Sequence, residues 1–131
     1  MIYKKSWKYI LVRDDSIACN TLRYYRPKAI KNFSDVHKND IGGFVKRYSN
    51  LSQSGDCWTY EEAVIIGNAH VYENAKVYKD SCICGDAQVY GNAIVTDYVI
   101  VMGNAKIFGN AEVSGYTKIS GNKVLTKGVY K

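Results

Sequence analysis

Apolar residues recur every six positions along most of the chain: Val71, Val77, Ile83, Val89, Val95, Val101, Ile107, Val113, Ile119 and Leu125. Two places before each sits a small or slender residue: Ala69, Ala75, Ser81, Ala87, Ala93, Val99, Ala105, Ala111 and Thr117. Strand residues two apart share a face, so the pattern predicts short strands with both positions inward and the residue between them outward. Gly-Asn, Glu-Asn and Gly-Asp pairs separate the hexads, and these suit corners that need left-handed backbone. A single hexad cannot bury its aliphatic residue alone, so the prediction is an all-β coil of stacked hexads.

Upstream of residue 43 this period is absent. Trp7–Val12 and Thr21–Phe33 read as two strands flanking the turn-rich RDDS, with Pro27 arguing for an edge or irregular position. NFSDVHKNDIGGF then reads as a loop leading into the first coil. Downstream, the frame fails at Lys123, where a small inward residue is expected. The expected organisation is a basic N-terminal β region and lead-in loop (1–42), a coil (43–126) and a tail (127–131) whose lysines blunt the open edge.

The aliphatic–turn–small repeat resembles the hexapeptide repeat of left-handed parallel β-helices. That resemblance implies three hexads per triangular coil, about four to five coils, and a left-handed winding. The lead-in Asp40–Phe44, followed by Asn50–Ser52, Gly55, Asp56 and Trp58, is similar to a segment preceding GNA-type repeats in uncharacterised phage and bacterial proteins. It implies a recurring two-part architecture and no activity.

With three hexads per coil, every third hexad shares a face. EEAVII, KDSCIC, DYVIVM and GYTKIS therefore stack, and these are the hexads that depart furthest from Gly-Asn-Ala. Their outward rows read Val64/Cys82/Ile100/Lys118 and Ile66/Cys84/Met102/Ser120. Six neighbouring outward residues are apolar, a feature that usually marks a contact. Two covers are open: a second protomer, or the N-terminal strands folded back. The self-association reading assigns Val64, Ile66, Cys82, Cys84, Ile100 and Met102 to a homodimer interface, with Tyr98 and Tyr116 as its rim. The second face carries His70/Gln88/Lys106 and the aromatic row Tyr72/Tyr90/Phe108; the third carries Trp58/Lys76/Ile94/Glu112.

Charge changes the picture at one end. The net +6 is concentrated in residues 1–47, where eleven Lys and Arg meet four Asp, a balance of +7. That part supplies the candidate contacts to an acidic partner: Lys4, Lys5, Lys8, Arg13, Arg23, Tyr24, Tyr25, Arg26, Lys28, Lys31 and Arg47. Catalytic signals are weak. His70 and His37 are the two histidines, no long loop interrupts the coils to build a coenzyme pocket, and Glu61 and Glu62 diverge as strand neighbours. Cys82-X-Cys84 alone is a poor metal motif, and no zinc spacing, P-loop or nucleophile elbow is present.

The expectation is a non-catalytic interaction module without cofactor or metal. It forms a homodimer and engages an acidic protein or nucleoprotein partner, for instance as a phage-type inhibitor of a host nucleic-acid-handling complex. Direct nucleic-acid binding with Tyr24 and Tyr25 stacking on bases, and a small acyltransferase, are the alternatives. No run is long enough to span a membrane and no secretory leader is evident, so a reduced cytoplasmic setting is expected.

Overall fold

The computed structural model describes residues 6–14, 16 and 23–131. Lys4, Lys5 and Cys19 lie outside them. The repeat folds as a three-faced parallel β-helix of about five turns, each face a ladder of two-residue strands. The first face stacks β3 (Phe44–Val45), β5 (Val64–Ile65), β8 (Cys82–Ile83), β11 (Ile100–Val101) and β14 (Lys118–Ile119). The second stacks β6 (His70–Val71), β9 (Gln88–Val89), β12 (Lys106–Ile107) and β15 (Val124–Leu125). The third stacks β4 (Trp58–Thr59), β7 (Lys76–Val77), β10 (Ile94–Val95), β13 (Glu112–Val113) and β16 (Val129–Tyr130).

The inward positions form the core. From Val71 to Val113 every aliphatic member of the series is fully buried, Ile119 nearly so, and Leu125 packs partly buried against them. Where the small position is not Ala, its polarity is satisfied locally: Ser81 Oγ donates to the Tyr78 carbonyl at 2.7 Å, and Thr117 Oγ1 to that of Ser114 at 2.8 Å. Each corner opens on one residue with positive φ, the first of the pair rather than the Asn. At Gly91 the glycine is required twice over. Its φ is +65°, and a Cβ there would stand 2.7 Å from the Gly109 nitrogen one rung away.

The corner entering the first face keeps the positive φ but, until Gly115, not the glycine. Glu61, Lys79 and Asp97 hold φ of 57°, 60° and 64° without being glycine, a conformation that is unfavourable for residues with a Cβ. Side chains compensate along the axis. The Lys79 N–H donates to Glu61 Oε1 (3.2 Å), its Nζ contacts Asp97 Oδ1 (3.3 Å), and the Gly115 N–H donates to Asp97 Oδ2 (2.8 Å). Hydrogen bonds hold the Asp97 carboxyl below its ordinary value, chiefly the one from Gly115. A charged ladder therefore replaces the glycine stack here, and it accounts for part of the missing Gly-Asn-Ala in these hexads.

Two frame changes bound the regular coils. Phe44 pairs with Val64 and Leu51 with Val71, twenty residues on, whereas Trp58 pairs with Lys76, eighteen on, so two extra residues lie between Leu51 and Trp58. At the other end Glu112 pairs with Val129, seventeen on. The segment expected to be only a tail thus contributes β16 to the third face.

The N-terminal strands β1 (Tyr9–Asp14) and β2 (Tyr24–Ala29) form an antiparallel pair, and β2 joins β3. They lengthen the first sheet to seven strands, in the order β1-β2-β3-β5-β8-β11-β14. They do not fold back over its outer side. Pro27 sits inside this sheet rather than at its edge. Ala29, two residues on, donates to the Asp40 carbonyl, and the Gly42 N–H donates to the Pro27 carbonyl. By strand alternation the missing proline donor therefore faces the lead-in segment, not the β1 ladder.

The other side of this hairpin caps the open end of the core. Tyr9 is fully buried, stacked 5.8 Å from Tyr48 and edge-on at 6.0 Å to Trp58, and its hydroxyl donates to the Leu51 and Tyr48 carbonyls. Trp58, expected to point outward, is 2% exposed because Phe33 of the lead-in loop covers it at 5.2 Å. Terminal coils of a solenoid need such a cover, since they have no neighbour on one side.

Candidate interaction surfaces

The outer side of the seven-stranded sheet is uncovered among the described residues. Ile100 is 41% exposed, Tyr98 51% and Tyr116 84%, while Val64, Ile66, Cys82, Cys84 and Met102 are half-buried. The register Val64↔Cys82↔Ile100↔Lys118 brings these residues into one row, as the repeat frame predicts. Tyr98 and Tyr116 stack at 4.8 Å beside it. Alternation along β1 also puts Val12, paired with Arg26, on this side, and it is 41% exposed. Phe44 closes the upper end of the row beneath the Arg26 guanidinium, 4.0 Å from its ring.

The basic residues do not form one surface. Lys8 is 1% exposed and turned inward, so it is no partner contact. Its Nζ donates to the carbonyls of Cys57 (2.7 Å) and Gly55 (3.0 Å), lies 3.3 Å from Cys57 Sγ, and sits over the Phe33 ring. Burial lowers the Lys8 pKa from its ordinary value and raises that of the Cys57 thiol, each group opposing the other's shift. Arg26 is committed within the chain as well, to Asp14 (2.9 Å), the Gly42 carbonyl (2.9 Å) and Glu62 (3.1 Å). Lys28 points to the first-face side of the hairpin, and Lys31 is exposed beyond it.

What gathers instead is a recess of about 330 Å³ lined by Leu11, Tyr25, Lys46, Arg47 and Tyr48. Strand alternation puts Arg13, the partner of Tyr25, on the same side as Leu11. Arg23 stands at the rim, its carbonyl accepting from Lys46 Nζ. Tyr24 and Tyr25 point to opposite sides of β2. Tyr24 packs edge-on against Phe44 under the Lys46 ammonium, so the two rings do not form one stacking platform. Lys46, Tyr48 and Leu11 were not singled out by sequence. The Lys46-Arg47 dipeptide was the available signal.

The remaining rows are structural. Tyr72, Tyr90 and Phe108 stack face to face at 4.6 and 4.7 Å, so their ring faces are taken up by each other. His70 lies 4.5 Å from the Tyr72 ring, and partial burial lowers its pKa. Among the described residues no carboxylate hydrogen-bonds to its imidazole. His37 is 3.8 Å from Asp40, but its side chain is 80% exposed on the lead-in loop. On the third face a shallow groove of about 450 Å³ lies between Ser34 and the corner residues Asp56, Asn74 and Asn92. Lys76 is tied down there by Ser34 (2.8 Å) and Asp35 (3.6 Å), and Asp35 also accepts from the Tyr60 hydroxyl (2.6 Å). Among the described residues no three His, Cys, Asp or Glu side chains converge as a metal site. No helix is long and apolar enough to cross a membrane.

No family model matches the chain. A 50-residue stretch is 36% identical to a protein of Escherichia coli (strain K12) described as the uncharacterized acetyltransferase YdcK. That stretch covers 37% of this chain and 15% of the relative. The likeness accords with the repeat, the ladders and the buried aliphatic series: the chain is a hexapeptide-repeat parallel β-helix.

Proposed function

We propose that the protein is a non-catalytic interaction module with two working surfaces. The first face pairs two copies, and the recess at the N-terminal cap receives an acidic segment of another protein. The observation that carries the second part is the recess itself, with an aliphatic and aromatic floor (Leu11, Tyr25, Tyr48) and a cationic rim (Lys46, Arg47). A hydrophobic side chain flanked by carboxylates matches both features. A component of a nucleic-acid-handling complex, the partner suggested by the phage-like lead-in, is one protein of that chemistry.

Charge reversal at the rim tests this. Lys46→Glu combined with Arg47→Glu is expected to weaken binding of a labelled acidic peptide roughly tenfold or more by anisotropy, with the wild-type affinity falling as salt is raised. An unchanged affinity in the double variant overturns the assignment. An oligonucleotide that binds more tightly than the peptide, with a steep salt slope, favours direct nucleic-acid binding instead.

One finding favours a second reading, acyl transfer: the likeness to a protein described as an acetyltransferase. Its natural base would be His70, which packs against the Tyr72 ring and has no orienting carboxylate among the described residues. His70→Ala is therefore expected to leave partner binding unchanged and stability within about 1 kcal/mol of wild type. Turnover of acetyl-coenzyme A that disappears in this variant, with folding preserved, contradicts the non-catalytic reading.

A further inference from the structure

The first face carries three sulfur atoms that neither working surface requires as sulfur. Cys82 and Cys84 point outward from one strand and the residue after it, and the pairing of Ile83 with Val101 sets Met102 beside Cys84 on the next rung. Same-side neighbours along a strand start about 6.6 Å apart and adjacent rungs about 4.8 Å apart. The three side chains therefore reach a common point without backbone movement. All three residues are half-buried among Val64, Ile66 and Ile100, which limits water at the sulfurs.

The donor set restricts what can bind. A structural zinc site takes four nitrogen or sulfur ligands, and this surface offers two thiolates. Oxygen donors for hard cations do not belong to the cluster. Thiolates with a thioether are the combination that selects Cu(I).

We propose that Cys82, Cys84 and Met102 form a binding site for a soft monovalent cation of the Cu(I) class. Binding is ligand exchange without redox change. Both thiols lose their protons to solvent, two sulfur–copper bonds form, and the Met102 thioether donates the third lone pair, leaving one net negative charge on the complex. The site rests on residues of one chain and stands whether or not two copies pair.

Anaerobic titration of the reduced protein with Cu(I), competed by bicinchoninate, tests the proposal. Cys19 is replaced by Ser throughout, leaving Cys57, Cys82 and Cys84 as the thiols. The expected result is one Cu(I) per chain, with affinity falling roughly 100-fold in Cys82→Ser and in Cys84→Ser, and about tenfold in Met102→Leu. Copper-edge absorption should show three sulfur neighbours, falling to two in Met102→Leu. A Cys82→Ser, Cys84→Ser double variant that keeps its far-UV circular dichroism and competes as well as the parent overturns the site. Half-stoichiometric binding with four sulfur neighbours also overturns it, in favour of a thiolate site shared between two copies.

Discussion

Val89→Asp is expected to unfold most of the coil. Val89 is fully buried on β9, in register between Val71 and Ile107, and its neighbours across the prism are aliphatic. A carboxylate there finds no partner, and an unpaired buried charge costs upwards of about 4 kcal/mol. A domain of ordinary stability holds only about 5–15 kcal/mol in total. Urea unfolding followed by circular dichroism checks this, with Gln88→Asp as the control. Gln88 lies on the same strand but points outward, so its change should fall within about 0.5 kcal/mol. Equal effects from the two substitutions contradict the inward–outward frame.

Tyr9→Ala is expected to cost about 3–5 kcal/mol, because it empties a large aromatic site at the end of the solenoid. Tyr9 is buried against Tyr48 and Trp58, and its hydroxyl meets two carbonyl groups. Tyr9→Phe keeps the packing and should cost only about 1–2 kcal/mol for the lost hydrogen bonds. Rungs of a solenoid contact only their neighbours, so the loss should be graded. Hydrogen exchange should quicken at β4 and β5 well before it does at β12 and β13. Uniform loss of protection along the axis would show instead that the hairpin is no local cap.

The coil was legible because its rule is local. Each hexad fixes its own inward pair, and repetition fixes the stacking, so the core from Val71 to Ile119 and the apolar row on the first face follow from sequence. Placement of the N-terminal segment is different in kind. Whether β1 and β2 cover the first face or extend it depends on long-range contacts, chiefly Tyr9 with Trp58 and Arg26 with Glu62, that no periodicity records. Lys8 was read as an outward contact for an acidic partner because lysine is seldom buried. Its inward turn depends on carbonyls at Gly55 and Cys57 that only the folded first coil presents. The missing glycines before the first face had two causes, and sequence suggested one. The apolar row was visible, whereas the Glu61–Lys79–Asp97 ladder needed the eighteen-residue register to bring those charges together.

Sedimentation velocity of the reduced wild type tests the pairing of the first face most directly. Among the described residues the N-terminal strands lie in the plane of that sheet and leave its outer side open, and six apolar positions there, with Lys118 at the end of the row, offer a strip on which two copies can meet. At micromolar concentration the account predicts a species of twice the 14.7 kDa chain mass. Ile100→Arg should sediment as a single chain with an unchanged circular dichroism spectrum, because residue 100 is already 41% exposed. A wild type that sediments at 14.7 kDa contradicts the account.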